Sequence, residues 1–100
     1  MIRPPKVKNI IRSTSKSTAK GQLLYSKHAN ERMLERGIIK PEVEYVLSHG
    51  HHEARKDQYN DEFNSWDYAI KGKTVDGRNL RIVIVLVEPN VLIITAIDLD

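Results

Sequence analysis

Apolar residues recur at helical spacing after the first quarter of the chain. Ala29 and Met33 are one helical turn apart, which places both on the same side of a helix. Ser26 precedes them as a residue type that caps helix N-termini, and Gly37 follows as the type that ends helices in a left-handed conformation. The pattern therefore predicts a first helix from Lys27 to Arg36.

A second helical pattern follows directly. Val43, Val46 and Leu47 occupy positions i, i+3 and i+4, which is the spacing of one apolar stripe. Pro41 fits a first helical position, where its missing N–H costs no hydrogen bond, and Gly50 is a helix terminator. We therefore predict a second amphipathic helix that ends before Gly50.

The C-terminal part of the chain has strand patterns, either alternating or almost continuously apolar, in three segments: Trp66–Lys71, Leu80–Val87 and Val91–Ile97. Asp76 and Gly77 form a hairpin signal between the first two, and Pro89 cannot continue a ladder between the last two. The segments are therefore predicted to form an antiparallel meander. The apolar run at 82–87 predicts a central strand buried on both faces. Residues 22–25 have the composition of a further short strand.

These elements define an α+β fold in which two N-terminal helices pack on a three- to four-stranded antiparallel sheet. The polar stretch from His51 to Glu62 has no period and is predicted to be a poorly ordered loop. Residues 1–20 also lack a period and are predicted to be a flexible arm. The chain thus divides into a basic arm (1–20) and a single domain (21–100).

Length and composition limit the class of protein. One hundred residues suffice for one hydrophobic core and not for two. No apolar stretch approaches the ~20 residues that cross a bilayer, so a soluble protein is expected. Cysteine is absent, which excludes disulfides, thiolate zinc sites and cysteine nucleophiles and fits a cytoplasmic protein. The N-terminal composition also fits an organelle transit peptide, which is a second interpretation.

The net charge of +3 hides an asymmetry along the chain. Residues 1–28 contain seven Lys or Arg residues and no acid, while the remainder carries nine bases and thirteen acids. A basic arm on a mildly acidic body suits contact with a polyanion or with an acidic partner protein. A solvated tail without a partner is the alternative interpretation.

Three basic side chains share one stripe of the first predicted helix. His28, Arg32 and Arg36 are spaced four residues apart, so successive members rotate by only about 40° around the helix and can converge on one phosphate. The alternative is a solvated face on which Glu31 and Glu35 pair with the arginines. The helix dipole disfavours protonation of His28 near the N-terminus, so a neutral imidazole there could act as a base.

Other clusters of polar residues carry weaker signals. A tract containing His49, His51, His52 and Glu53 matches no zinc spacing, and a surface loop is the better interpretation. A magnesium nuclease site is not supported by the distribution of the acids Asp57, Asp61, Glu62 and Asp67, so no metal is predicted. Base stacking or core packing remains open for three aromatic residues: Tyr59, Trp66 and Tyr68.

Four stretches of the sequence, taken in their order along the chain, carry a resemblance to a known family. The first is the run from His28 to Ile38, of the form His-Ala-x-x-Arg-Met-x-x-Arg-Gly-Ile. The others are the second helix, the run from Asp76 to Val83, and the run from Ile94 to Ala96. Together they resemble a widespread family of small bacterial domains of unknown function, family 4258. The resemblance covers about Tyr25 to Asp98 and leaves the arm outside.

That family is grouped with the fold of RelE-like toxins, barnase and EndoU nucleases, and its members are similar to the toxin half of toxin–antitoxin pairs. The resemblance therefore implies a metal-independent ribonuclease that cleaves mRNA without a cofactor. In such chemistry a base removes the 2′-hydroxyl proton, cations stabilise the transition state, and an acid protonates the leaving 5′-oxygen. RNA and a cognate antitoxin are the implied partners, and the ribosome is a further candidate.

The resemblance also implies roles for individual residues. His28 would be the general base or acid, Arg32 and Arg36 would hold the phosphate, and Thr95 would bind a non-bridging oxygen. Arg81 stands where many relatives are expected to have histidine, and arginine is a poor proton donor because its pKa exceeds ~12. This departure leaves open a weaker enzyme, an enzyme in which Arg81 is an electrostatic stabiliser of the catalytic set, or an RNA binder without turnover.

Two functional hypotheses remain open from the sequence. The first is an endoribonuclease toxin with further RNA contacts through a set of cations and aromatics: Lys27, Trp66, Tyr68, Lys71 and Arg78. Ile97 stands where relatives often have tyrosine, so a second proton-transfer group is not evident. The second hypothesis is therefore a non-catalytic module that binds RNA or an antitoxin-like partner through the same cations.

Overall fold

In the computed structural model, residues 23–62, 64–87 and 90–100 are described, and the predicted arm 1–20 lies outside them. The elements in chain order are β1 (Leu23–Tyr25), α1 (Lys27–Arg36), α2 (Lys40–His49), β2 (His51–His52), a 3-10 turn (Ala54–Lys56), β3 (Gln58–Asn60), β4 (Ser65–Lys73), β5 (Asn79–Val87) and β6 (Asn90–Asp98). Both predicted helices and all three long strands are therefore present, at or within two residues of the predicted boundaries.

The strands form one mixed sheet in the order β1-β6-β5-β4-β2, with β3 also paired to β4. The α+β class is confirmed, whereas the predicted layers need correction. The helices follow β1, which pairs in parallel with β6, and the sheet has six strands instead of three or four. β2 and β3 form within the predicted loop, because strands of two and three residues show no readable period and depend on pairing with β4.

The first helix forms as its capping residues predict. The Ser26 hydroxyl accepts a hydrogen bond from the Ala29 N–H at 3.0 Å, which satisfies one of the unpaired donors of the first turn. At the other end Gly37 adopts φ +65°, and the Ile38 N–H donates to the Met33 carbonyl at 2.8 Å. This left-handed ending turns the chain so that Ile38 is buried beside the helix.

Both helices pack on the same face of the sheet. Ala29 and Met33 of α1 and Val43, Val46 and Leu47 of α2 join one buried cluster with residues of the long strands, including Ile70, Ile82, Ile84 and Ile93. β5 lies between β4 and β6. On this face its residues Leu80, Ile82 and Ile84 are 0% exposed, and Leu86 is partly buried against the same core. The other face of β5 is only partly covered, so the predicted burial on both faces holds for one of them.

The end of α2 makes a backbone contact with β4. A Cβ atom placed on Gly50 would lie 2.5 Å from the Lys71 carbonyl oxygen and 2.6 Å from that of Val46, and one placed on Gly72 would lie 2.9 Å from the Gly50 Cα. The two glycines therefore allow the chain to leave α2 directly beside β4. This contact places β2, which begins at His51, against the edge of the sheet.

In the part of the chain that the structure describes, neither helix combines the length and the apolar character that crossing a membrane would require.

Candidate functional site

The sheet face opposite the helices carries a set of polar and charged side chains, which we call the cationic face: His51, Glu53, Lys71, Arg81 and Thr95. Successive side chains of a strand point to opposite faces of the sheet. Because Ile70, Ile82 and Ala96 are buried under the helices, their neighbours Lys71, Arg81 and Thr95 point to the other side. Neither α-helix packs on this face. In this set His51 is exposed, Lys71, Arg81 and Thr95 are half-buried, and Glu53 is buried.

Three of these residues lie in one row across neighbouring strands. His51 of β2 pairs with Lys71 of β4, and Lys71 pairs with Arg81 of β5. Paired residues have Cβ atoms about 5 Å apart, so the row brings an imidazole, an ammonium and a guanidinium within about 10 Å. Like charges placed directly opposite destabilise a sheet, and an anion bound between them would remove that cost.

Glu53 inserts a single carboxylate into this row. Its Oε1 accepts from Arg81 Nε at 2.7 Å and its Oε2 from Arg81 Nη2 at 3.3 Å, and the Glu53 side chain is only 8% exposed. The Arg81 hydrogen bond lowers the pKa of the Glu53 carboxyl, burial opposes this effect, and the charges of Arg81, Lys71 and His51 lower it further. Glu53 is therefore an ionised acceptor at neutral pH.

Arg81 still has donors available on its outer side. Glu53 occupies Nε and one N–H of Nη2, whereas Nη1 and the second N–H of Nη2 have no partner among the described residues. A guanidinium presents five N–H groups in a planar fork, and two of its edges each match an oxyanion. The edge formed by these N–H groups is called the free edge, and the Arg81 side chain as a whole is 21% exposed.

Thr95 lies in the next row of the cationic face. It pairs with Val83, two positions along β5 from Arg81, and its hydroxyl has no hydrogen bond to the described residues. Residues diagonal across strands are about 7–8 Å apart, within reach of a long arginine side chain. Arg81 and Thr95 are therefore close enough for both to contact one phosphate.

The predicted stripe on α1 lies elsewhere. Arg32 forms an exposed ion pair with Glu35 at 2.8 Å, which is the alternative that the sequence leaves open. Arg36 Nη1 donates to the Ala96 carbonyl at 2.6 Å and so satisfies a backbone group of β6 beyond the end of β1. His28 is exposed and makes no hydrogen bond or ion pair with the described residues.

The sheet thus divides the predicted catalytic set. His28, Arg32 and Arg36 belong to α1, which packs on the face opposite to that of Arg81 and Thr95. The three α1 residues do share one side of the helix, as the spacing predicts. The structure brings Arg81 together with Glu53, His51 and Lys71 instead of with the α1 stripe.

Residues 25–98 match the family described as "Domain of unknown function (DUF4258)". The chain belongs to this family. No curated protein and no solved structure shows a match to the sequence. All five residues of the cationic face lie inside the matched range, so the site is part of the DUF4258 domain itself.

Two residues of the site in this DUF4258 domain were not selected by sequence reasoning. His51 and Glu53 lie in the segment predicted to be a loop. The sequence does not indicate which other side chain would act together with His51. A signal is present, since His51 and Glu53 are two residues apart and would share a face if the segment were a strand. In the described residues no group of three or more His, Cys, Asp or Glu side chains is arranged to hold a metal ion.

A buried carboxylate fixes the loop that carries Glu53. Asp57 Oδ1 accepts from the Ala69 N–H at 3.0 Å and Oδ2 lies 2.7 Å from His52 Nε2, while the Glu53 N–H donates to the Ala69 carbonyl at 2.8 Å. The Asp57 side chain is 0% exposed. At this point of the β4 edge the Asp57 carboxylate therefore accepts the hydrogen bond that the carbonyl of a neighbouring strand would accept. This bond helps to set the position of Glu53.

Replacing Asp57 by alanine is expected to lower the free energy of unfolding of the DUF4258 domain by about 2 kcal/mol, because a buried N–H loses its acceptor. Asp57→Asn should cost less, since the amide oxygen can still accept from Ala69. Urea denaturation measures both, with the exposed acid Asp61→Ala as the matched control. A loss for Asp61→Ala as large as that for Asp57→Ala would contradict this role.

Arg78, predicted to bind RNA, is engaged in contacts that join three elements. Its guanidinium donates to the carbonyls of Arg36 and Gly37 at 3.0 Å each, and it pairs with Asp98 at 2.8 Å and Glu42 at 3.4 Å. The Arg78 hydrogen bond also lowers the pKa of Asp98. These bonds tie the end of α1 to α2 and β6, so an RNA phosphate would compete with four protein acceptors.

The other predicted RNA contacts are distributed over different surfaces. Lys71 is on the cationic face, whereas Lys27 is exposed on α1. Tyr68 is 2% exposed and belongs to the core, and Trp66 packs against the same core. Their rings therefore contribute to packing, as one of the two interpretations of the aromatic pattern holds, and the Tyr68 ring is not accessible to a base.

Proposed function

We propose that this DUF4258 domain is a metal-independent endoribonuclease that cleaves RNA on its cationic face. One observation carries the proposal: Arg81 holds the Glu53 carboxylate on one edge of its guanidinium, and the N–H groups of its other edge donate to none of the described residues. A phosphate on that free edge would lie beside a carboxylate already positioned to accept a proton. This is the pairing of groups that 2′-hydroxyl attack on phosphorus requires.

The proposed reaction begins with the ribose next to the bound phosphate. Glu53 removes the 2′-hydroxyl proton, the oxygen attacks the adjacent phosphorus, and the bond from phosphorus to the 5′-oxygen breaks. Arg81 and Lys71 neutralise the charge that develops on the non-bridging oxygens, and Thr95 donates a hydrogen bond to one of them. The leaving 5′-oxygen takes up a proton, so the products are a 2′,3′-cyclic phosphate and a 5′-hydroxyl end.

The bound phosphate also adjusts Glu53 for its role. In the free protein, Arg81 lowers the pKa of Glu53, which favours ionisation and weakens the carboxylate as a base. A second anion on the same guanidinium opposes this effect, because neighbouring negative charges disfavour ionisation. Substrate binding therefore strengthens the base at the site where the proton must be removed.

The wider biological role that we propose is that of the toxin in a toxin–antitoxin pair that cleaves mRNA. The resemblance of the family to RelE-like toxins supports this part of the proposal. An antitoxin that inhibits such an enzyme would cover the cationic face and present acidic groups to Lys71 and Arg81. The ribosome is an additional candidate partner, since it would present mRNA to the site.

Cleavage of labelled RNA in EDTA tests the proposal. Arg81→Ala should lower the rate by about 10²–10³-fold, the effect of removing one donor to a transition-state oxyanion. Lys40→Ala is the matched control for loss of one positive charge, because Lys40 lies over the Tyr25 ring on the helix side. Its rate should stay near that of the unchanged protein.

Two outcomes would overturn this assignment. If Arg81→Ala cleaves normally and His28→Ala does not, the site is the α1 stripe that the sequence predicts. If the unchanged protein binds RNA tightly at low salt without cleaving it, the protein is a non-catalytic binding module. The closed Glu53–Arg81 pair supports that second function, because it neutralises part of the charge that catalysis would use.

A further inference from the structure

We infer that His51 is the general acid that protonates the leaving 5′-oxygen. The inference rests on the proposed ribonuclease function and supplies the proton donor that the sequence does not identify. Arg81 cannot fill this role, because its pKa is raised further by Glu53. An imidazole is the side chain that exchanges protons near neutral pH, and His51 is the imidazole of the cationic face.

The strand register places His51 on the same side of the sheet as Glu53. His51 pairs with Lys71, whereas its neighbour His52 pairs with Ile70 and its ring contacts Tyr68 on the helix-covered side. The charge of His51 also contributes, as the smallest of several causes, to the lowered pKa of Glu53, which is consistent with this placement. His51 is exposed and makes no hydrogen bond with the described residues.

The spacing of the two residues suits an in-line displacement. Attack by the 2′-oxygen and departure of the 5′-oxygen occur on opposite sides of phosphorus, so base and acid must flank the phosphate. His51 and Glu53 are two positions apart, which corresponds to about 7 Å along an extended chain. A phosphate held between them by Lys71 and Arg81 would have its attacking and leaving oxygens aligned along β2.

The protons balance in this arrangement. Glu53 takes the proton of the 2′-hydroxyl as the new bond to phosphorus forms, and His51 gives a ring proton to the 5′-oxygen as the old bond breaks. The groups facing His51 are Lys71 of β4, Arg81 of β5 and Glu53 of the adjoining loop.

A comparison of two leaving groups tests this role. The substrates are one nucleoside 3′-phosphate joined either to the 5′-oxygen of a second nucleoside or to 4-nitrophenol. The nitrophenolate leaves without a proton, whereas the nucleoside alkoxide needs one. His51→Ala should therefore slow the dinucleotide by about 10²–10⁴-fold and leave the nitrophenyl ester within about threefold.

Two further variants complete the experiment. His51→Gln keeps a polar side chain but has no group that can donate a proton to the leaving oxygen near neutral pH, so it should show the same selective loss. His49→Ala is the control, because His49 is an exposed histidine that stacks on Tyr45 of α2. This variant should cleave both substrates normally.

The outcomes separate the acid role from the proposed function. If the unchanged protein cleaves neither substrate, the ribonuclease proposal fails and the acid role fails with it. If it cleaves both and His51→Ala slows both equally, or neither, the ribonuclease stands and His51 is not its acid. Only a loss confined to the dinucleotide supports the inference.

Discussion

Replacing Glu53 by glutamine should lower the rate of RNA cleavage by about 10²–10⁴-fold, the range for loss of a general base. The amide retains the size of the carboxylate and an oxygen that can accept from Arg81, so the fold of the loop should be preserved. What it cannot do is take the 2′-hydroxyl proton. Single-turnover cleavage in EDTA, with RNA binding measured in parallel, separates a loss of chemistry from a loss of affinity.

The pH dependence of the unchanged protein provides a second measurement on the same residue. Arg81 lowers the pKa of Glu53, so the carboxylate remains ionised as the pH falls through about 4.3, the ordinary value for glutamate. The acid limb of kcat/KM, which reports the free enzyme, should therefore lie below that pH. Normal cleavage by Glu53→Gln would show that another group is the base.

The largest effect on stability is expected from Gly50→Ala, at about 3 kcal/mol of unfolding free energy. The new methyl group would lie 2.5 Å from the Lys71 oxygen and 2.6 Å from the Val46 oxygen, and both belong to backbone. Neither can rotate away, so α2 and β4 must separate. Because β2 begins at the next residue, the separation also moves His51 and Glu53 away from Arg81.

Gly37→Ala is the matched comparison for this prediction. Gly37 has φ +65° and no atom within 4 Å of the position that a methyl group would take, so alanine there costs only the strain of a left-handed backbone, about 1–2 kcal/mol. Urea denaturation compares the free energies of unfolding of the two variants. RNA cleavage, measured at urea concentrations below the unfolding transition of each variant, tests whether β2 has moved. An equal loss of stability in both, with cleavage retained in Gly50→Ala, would argue against the backbone contact.

The elements that sequence reasoning locates correctly are those with local causes. Ser26 and Gly37 set the ends of α1 through contacts within four residues. In β4 to β6 the alternation of apolar and polar residues indicates which face of each strand is buried. β2 has no such pattern, because it consists of only two residues and forms by pairing with β4. The sequence therefore cannot distinguish this strand from a polar loop.

The site was only partly predictable for a related reason. Arg81 and Thr95 follow from the resemblance, whereas Glu53 becomes a partner of Arg81 only through pairing 28 residues apart in sequence. The predicted stripe of His28, Arg32 and Arg36 follows from the spacing of residues within one helix. Helical spacing does not indicate which face of the sheet the helix covers, and that choice decides whether His28 and Arg81 can act together.

The parallel pairing of β1 with β6 also bears on how the protein matures. The Ser26 N–H, at the start of α1, donates to the carbonyl of Ile93, so the two ends of the domain meet in one contact. During synthesis α1 cannot take its final place until β6 has left the ribosome, and such long-range closure slows folding. Arg81 depends on the same event, because β5 is completed by β6 on one side. A nascent chain would therefore complete its cationic face only after β6 has been synthesised.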